Sequence, residues 1–126
     1  MSVIAAVDNE SGSEAIIETA WEIADGLGKE LVVFHCATAR GDVDEARNEV
    51  ESLVESAIGD AEKATISVDQ GDPEVEIVDA SEDRGADYIV MGSRKRSPLG
   101  KVLLGSVSQL VMHNSDVPVV CVTQEK

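Results

Sequence analysis

The fold is decided by the first apolar run of the chain, which reads Val3-Ile4-Ala5-Ala6-Val7-Asp8-Asn9. Five apolar residues without polar alternation are typical of a strand buried on both faces, as in a parallel sheet. The polar residues that follow mark the place where such a strand ends. We therefore predict a buried strand over Val3–Val7 that carries Asp8 to the carboxyl end of a parallel sheet.

Four further strands alternate with helical patterns along the rest of the chain. They are predicted at Leu31–Cys36, Thr65–Val68, Ala86–Met91 and Val117–Val122. Thr65–Val68 alternates between polar and apolar residues, which suits the edge of a sheet. Strands that alternate with helices require a parallel sheet covered on both faces and joined by right-handed crossovers. The chain is therefore predicted to form one three-layer α/β domain over residues 1–126.

Polar residues predict where the four helices begin. The expected N-caps are Ser11, Asp42, Asp72 and Ser106. Ser11 and Ser106 each stand three residues before a Glu or Gln, which is the spacing of a capping box. Pro73 follows Asp72 and suits the first helical position.

The chain is strongly acidic, with 25 acidic against 10 basic residues and a formal charge of -15. A surface of that charge repels a phosphate backbone, which argues against a nucleic acid as partner. It is typical of a protein from a halophilic host, in whose salty cytoplasm salt screens the self-repulsion of an acidic surface.

Nothing in the sequence indicates export or a membrane. No eighteen apolar residues follow one another, and the beginning of the chain lacks a basic segment ahead of an apolar stretch. Cys36 and Cys121 form no CxxC pair and each lies in an apolar run, so they are predicted to be buried free thiols. We therefore expect a cytoplasmic protein.

The segment from Tyr88 to Ser115 contains no acidic residue, although one residue in five of the chain is Asp or Glu. Four cations cluster within it, namely Arg94, Lys95, Arg96 and Lys101. Burial of the flanking strand and helix would explain the missing acids but not the four cations. The contrast predicts a site for an anionic ligand, beyond the carboxyl end of the fourth strand.

Residues in the same loop suit contact with phosphate. Gly92 and Gly105 permit close approach of backbone N–H groups, and Ser106 opens a helix whose N-terminus attracts anions. Ser106 can equally be an ordinary capping residue. A GxGxxG fingerprint after the first strand and a complete Walker loop are both absent, which excludes a standard P-loop enzyme.

The whole chain resembles the universal stress protein family. The resemblance is carried by Met91-Gly92-Ser93-Arg94, by Leu103-Leu104-Gly105-Ser106-Val107-Ser108, by the first strand ending in Val7-Asp8, and by Val117-Pro118-Val119-Val120-Cys121-Val122. Members of the family that bind ATP carry Gly, two residues, a second Gly, nine residues, and then Gly-Ser or Gly-Thr. Gly92 and Gly105-Ser106 match this pattern at the right spacing, whereas Lys95 replaces the second glycine.

The resemblance implies an adenine nucleotide alpha hydrolase-like fold, with five parallel strands in the order 3-2-1-4-5. It also implies ATP or AMP as ligand, with Mg²⁺ on the phosphates. Adenosine would lie near Asp8 and Cys36, with phosphates along Gly92, Gly105, Ser106 and Val107. The predicted binding residues are Asp8, Cys36, Met91, Gly92, Arg94, Lys95, Gly105, Ser106, Val107 and Ser108. A homodimer through Val117 to Val122 is implied as well.

Three classes of function stay open on the sequence. The first is an adenine-nucleotide-binding regulatory or stress-response protein. The second is a dimeric interaction module of the same fold that binds no nucleotide, which the lysine at position 95 favours. The third is an enzyme, with slow ATP hydrolysis as the most that we expect. The sequence offers no catalytic residue for it. His35 and His113 lie far apart in the sequence, and no catalytic triad or pair of carboxylates is identifiable.

Overall fold

Five parallel strands form the central sheet of the computed structural model, which describes residues 2–8, 12–37, 41–95 and 105–124, apart from the side chains of 93–95 and 124. The strands are β1 (Ser2–Val7), β2 (Glu30–Ala37), β3 (Thr65–Gln70), β4 (Ala86–Lys95) and β5 (Val119–Gln124). The helices are α1 (Ser13–Leu27), α2 (Val43–Ile58), α3 (Pro73–Asp83) and α4 (Ser106–Asn114), with a short 3-10 helix at Ala61–Lys63.

The order of the strands is β3-β2-β1-β4-β5, and every pair is parallel. The predicted class and strand order are therefore confirmed. β1 lies in the middle, where both of its faces are covered, and this position explains its unbroken apolar run. β3 is an edge strand, as its alternating pattern indicated.

Alternate residues of β1 belong to two separate hydrophobic clusters, which makes the domain three layers thick. Val3, Ala5 and Val7 pack in the cluster beneath α1 and α2, whereas Ile4 and Ala6 pack in the cluster beneath α3 and α4. Residues 3–5 of β1 are fully buried. This aliphatic packing fixes the strand whose end leads to the candidate site.

β4 is longer than predicted, because it continues from Met91 through Lys95. A shift in register lies between Gly92 and Lys95, and Lys95 pairs with Gln124 of β5. The first part of the predicted loop is thus extended strand. β5 in turn begins at Val119, after Pro118, whose carbonyl accepts from the N–H of Ile89 at 3.0 Å.

The caps of α2 and α3 lie where they were predicted. The Asp42 carboxylate accepts from the N–H groups of Asp44 and Glu45 at 2.9 and 3.2 Å. Asp72 is the N-cap of α3 and Pro73 its first residue, although the Asp72 side chain makes no capping hydrogen bond.

The two predicted capping boxes are wrong. Gly12, with φ of 97°, is the N-cap of α1, and Ser11 lies outside the described residues. Gly105 is the N-cap of α4, because its carbonyl accepts from the N–H of Gln109 at 3.0 Å. Ser106 is therefore the first helical residue, one position too late for its hydroxyl to cap the helix.

The two cysteines are free, as predicted, but they are half-buried rather than buried. Cys36 lies near the end of β2, where the sheet opens to solvent, and Cys121 lies on the edge strand β5. The apolar character of these two segments comes from the residues next to each cysteine in its strand, not from burial of the cysteine itself. In the part of the chain that the structure describes, no helix combines the length and apolar character needed to cross a bilayer.

Candidate functional site

A cavity of about 670 Å³ opens at the carboxyl ends of β1, β2 and β4. One face of α2, the start of α3 and the first residues of α4 complete its walls. β1 lies between β2 and β4, so the chain leaves neighbouring strands toward opposite faces of the sheet at this point. Open α/β sheets bind ligands at such a switch point, and the volume falls in the range of roughly 300–1,000 Å³ that is usual for ligand sites.

Asp8 directly follows β1 and its side chain is exposed at the cavity. The Ser13 hydroxyl, from the first residue of α1, donates to Asp8 Oδ1 at 3.3 Å. This contact orients one carboxylate oxygen from a buried serine. The carboxylate can accept hydrogen bonds from ligand hydroxyl or amino groups, as each oxygen has two lone pairs.

Cys36 lines the same cavity from the end of β2. Its thiol donates to the carbonyl of Gly71 at 3.3 Å. Burial raises the pKa of the Cys36 thiol to about 11, and the nearby carboxylates of Glu76, Asp69, Asp72 and Glu74 contribute in the same direction. Because thiolate is the nucleophilic form, Cys36 at neutral pH is a small neutral wall residue rather than a nucleophile.

The N-terminus of α4 faces the cavity through residues 105–108. Among the residues that the structure describes, no side chain caps this helix, and its first turn carries no acidic residue. The N–H groups of its first turn therefore have no intrahelical acceptor, and the positive end of the helix dipole lies at the cavity. Both features favour an anion in this part of the cavity.

The backbone conformation of Gly105 does not require a glycine. Its φ and ψ are -73° and 166°, which any residue adopts. Gly105 lines the cavity, and a glycine has no Cβ to hinder the close approach of a ligand to the backbone.

Ser108 ties α4 to the end of β4. Its side chain is 5% exposed, and its hydroxyl donates to the Gly92 carbonyl at 3.0 Å. This hydrogen bond holds the helix N-terminus against the strand end that carries Gly92. Ser108 therefore fixes the geometry of this end of the cavity.

Most of the predicted binding residues meet at this one cavity. Those that line it are Asp8, Cys36, Met91, Gly92, Gly105, Ser106, Val107 and Ser108. Arg94 and Lys95 belong to β4 by their backbone, but their side chains lie outside the described part of the structure. Arg96 and Lys101 lie wholly outside the described residues, so the position of the basic cluster stays a prediction.

Sequence reasoning missed the acidic wall of the cavity. Asp42, the N-cap of α2, and Glu45 and Glu49 within α2 line it. They stand at positions i, i+3 and i+7 of a helix that follows β2, and this spacing places them on one face. That spacing was available as a signal, since a helix after a strand lies beside its carboxyl end.

His35 is a second cavity residue that was not predicted as part of the site. Its Nδ1 lies 2.8 Å from the carbonyl oxygen of Val7 on the neighbouring strand. Its position near the end of β2, directly before Cys36, was the available signal. In residues 2–8, 12–37, 41–95 and 105–124, no three His, Cys, Asp or Glu side chains converge in a way that could hold a metal ion.

The fold and the cavity together define an open α/β protein with a ligand-sized site at its switch point. The sequence profile of the universal stress protein family matches residues 1–123. The chain belongs to the universal stress protein family, as the resemblance in its motifs indicated.

Three known proteins illustrate the relationship. The chain is 33% identical over 100 residues to a universal stress protein of Methanocaldococcus jannaschii, and the match covers 79% of this chain and 62% of that relative. A universal stress protein structure from Archaeoglobus fulgidus has a TM-score of 0.73 and 32% identity, and the alignment covers 96% of this chain and 97% of that chain. A universal stress protein from the same organism in complex with dAMP has a TM-score of 0.68 and 26% identity, with 96% of each chain covered. The chain thus spans about three-fifths of the curated relative and nearly the full length of the two structures.

Proposed function

We propose that this domain binds an adenine nucleotide, ATP or AMP, in the cavity at the carboxyl end of the sheet. The observation that carries the proposal is the opposite character of the two ends of the cavity. The first N–H groups of α4, which no side chain of the described residues caps, lie at one end, whereas the carboxylates of Asp8, Asp42 and Glu45 lie at the other. A nucleotide has the complementary arrangement, with an anionic phosphate at one end and hydroxyl and amino groups at the other.

Each group of the nucleotide then has a place. The phosphate lies on Gly92 and the backbone of Gly105, Ser106 and Val107, and the Ser106 hydroxyl donates to it. Asp8 accepts from the ribose hydroxyls. The base lies beside Cys36, at the end of β2. The dAMP complex of the relative from Archaeoglobus fulgidus supports this class of ligand.

The remaining features of the proposal follow from the sequence and the family. Arg94 and Lys95 supply cationic contacts to the phosphates, on which Mg²⁺ is carried without a protein cage. The protein acts in the cytoplasm as a regulatory or stress-response protein, and at most hydrolyses ATP slowly.

Two copies pair through Val117 to Val122, which covers the apolar edge strand β5. Sedimentation velocity at high salt should then give twice the mass of the chain.

The substitution Gly105→Asp tests the binding site. The backbone of Gly105 suits an N-cap, so an aspartate there accepts from the first N–H groups of α4 and raises the free energy of unfolding by about 0.5–1 kcal/mol. The same carboxylate occupies the place of the phosphate, so binding is lost. Calorimetry and thermal melts with millimolar AMP and ATP should show a ligand-induced shift in melting temperature for the wild type only.

The matched control is Gly105→Asn, which caps the helix without adding charge. It should bind nucleotide more weakly than the wild type and more tightly than Gly105→Asp. No heat and no shift in melting temperature for the wild-type protein at millimolar adenine nucleotide would contradict the proposed function.

A dimeric interaction module that binds no nucleotide is the second candidate. It is favoured by the strand that continues through Lys95, where nucleotide-binding members of the family carry their second glycine. The substitution Lys95→Gly separates the two candidates. Measurable or increased affinity for ATP in this variant shows a nucleotide site, whereas undetectable binding in both the variant and the wild type supports the interaction module.

A further inference from the structure

The connection from β3 to α3 is tied by hydrogen bonds to the end of β2 and to the residues that follow it. The Cys36 thiol donates to the carbonyl of Gly71 at 3.3 Å, and the N–H of Gly71 donates to the carbonyl of Ala37 at 3.4 Å. Gln70, the last residue of β3, donates through its side-chain Nε2 to the carbonyl of Gly41 at 2.8 Å. The connection before α3 and the residues before α2 are thus joined to each other.

Gly71 gives the connection from β3 to α3 its shape. Its φ is 140°, in the region that side chains rarely adopt. A Cβ at this position would lie 3.1 Å from Oε1 of Glu76, so the approach of α3 to the connection also depends on a glycine. The turn between Gln70 and Pro73 therefore has a defined conformation rather than one of several.

The residues joined in this way reach the cavity, although β3 does not. Cys36 and Gly41 line the cavity beside β2, and Pro73 and Ile77 line it from the start of α3. Among the described lining residues, none belongs to β3. In the proposed nucleotide complex the base lies beside Cys36, where both connections reach the cavity. Gln70 can therefore affect the base only through the residues that it holds.

We propose that Gln70 is a positioning residue for the base of the bound nucleotide, because its hydrogen bond to Gly41 fixes the two connections relative to each other. This inference rests on the proposed nucleotide site. Walls that are already ordered before the ligand arrives lower the cost of binding. The phosphate end is held separately, since the Ser108 hydroxyl ties α4 to the Gly92 carbonyl. Gln70 thus contributes to the affinity for the base and not to the affinity for the phosphate.

The substitution Gln70→Met tests this role. Methionine is similar in length and uncharged, but it cannot donate to the Gly41 carbonyl. The loss of one hydrogen bond should weaken the binding of AMP and of adenosine by about five-fold each. Ribose 5-phosphate has no base, and its affinity should change by less than about two-fold. NMR titrations of the isotope-labelled protein with the three ligands measure these affinities.

Two further variants make the comparison specific. At the other end of β3, the Thr65 hydroxyl donates to the carboxylate of Glu30 on β2. Thr65→Val removes this hydrogen bond between the same two strands, but far from the cavity, so all three ligands should bind as to the wild type. Gln70→Lys retains a donor for the Gly41 carbonyl, and its affinity for uncharged adenosine should stay within about two-fold of the wild type.

The outcomes separate this inference from the proposed function. Unchanged adenosine affinity in Gln70→Met, or an equal loss for adenosine and ribose 5-phosphate, overturns the role of Gln70 and leaves the nucleotide site intact. A loss of adenosine affinity in Thr65→Val as large as in Gln70→Met also overturns it, because affinity would then follow the stability of the edge strand. No AMP binding by the wild type overturns both the inference and the proposed function.

Discussion

The two ends of the sheet belong to the same strands but differ in the glycines of the connections beside them. At the amino end, Gly28 and Gly85, with φ of 67° and 59°, turn the chain from a helix into the next strand. At the carboxyl end, Gly105 has an ordinary φ of -73° beside the cavity. The first two glycines are required by a positive φ, whereas the third is not. Gly12 and Gly71 at the carboxyl end also have a positive φ, so the contrast is between glycines that turn the chain and the one glycine with an ordinary φ that lines the cavity among these five.

The largest expected difference between the two ends lies in the cost of removing an apolar side chain. Leu31, 1% exposed at the start of β2, has packed neighbours on all sides, so Leu31→Ala should lower the free energy of unfolding by about 3 kcal/mol. Met91 lines the cavity, so Met91→Ala enlarges an existing space and should cost about half as much. Urea denaturation measures both.

The control for this pair is Leu31→Met, which keeps the volume and should cost about 1 kcal/mol or less. If Met91→Ala proves as costly as Leu31→Ala, the carboxyl end is as tightly packed as the amino end, and the contrast fails.

The second prediction concerns the acidity of the carboxyl end, which Cys36 reports. With a pKa raised to about 11 by burial and by surrounding carboxylates, Cys36 has little thiolate at pH 8. The loss of thiolate outweighs the greater nucleophilicity of a basic thiol, so alkylation by iodoacetamide should be about ten-fold slower than for an unhindered cysteine peptide. The rate should increase with each pH unit toward pH 11, because the proton is lost only there.

Mass spectrometry of Cys121→Ser isolates the reaction at Cys36. Burial also raises the pKa of Cys121, so Cys36→Ser provides the comparison for a thiol on the edge strand. A rate for Cys36 that reaches its plateau below pH 9 would show that neither burial nor the surrounding carboxylates raise its pKa as far as the structure indicates.

The third prediction compares two glycines near the amino end. A Cβ added at Gly28 meets no atom within 4 Å, so the cost of Gly28→Ala is the cost of a positive φ, about 1 kcal/mol. Gly26 lies two residues earlier inside α1 and is equally open, so Gly26→Ala should raise the free energy of unfolding by about 0.5–1 kcal/mol. Thermal melts of both variants provide the test, and a loss of stability in Gly26→Ala would contradict it.

The sequence predicted the elements of this fold because burial on both faces leaves a readable apolar run, as in Val3–Val7 and Leu31–Cys36. It failed at the ends of elements. Ser106 was the predicted cap of α4, but the helix begins one residue earlier, because the carbonyl of the adjacent Gly105 accepts the first helical hydrogen bond. Choices between adjacent residues depend on loop geometry that periodicity does not encode.

The candidate site was predictable only where a motif or a charge contrast marks it. Gly92, Gly105 and Ser106 stand at a characteristic spacing, and Asp8 follows a buried strand. His35 and Glu45 carry only the weaker signals of a place near the end of β2 and of spacing along α2, and whether they reach the cavity depends on how α2 packs over the end of β2. Tertiary packing, which local pattern does not determine, brings these residues to the site.

The smallest expected effect belongs to the ion pair between Lys29 and Asp87 at the amino end of the sheet. Lys29 Nζ lies 2.9 Å from Asp87 Oδ2, and the two side chains are 21% and 27% exposed. Both side chains are partly exposed, although Asp87 Oδ2 itself is buried, so a double-mutant cycle of Lys29→Met and Asp87→Asn should give an interaction energy of about 0.5–1 kcal/mol. Salt should weaken it, since charges in contact with water are screened. An interaction energy that is unchanged at 2 M salt would mean that water does not reach this pair, and that the amino end is closed more completely than the exposure of its side chains indicates.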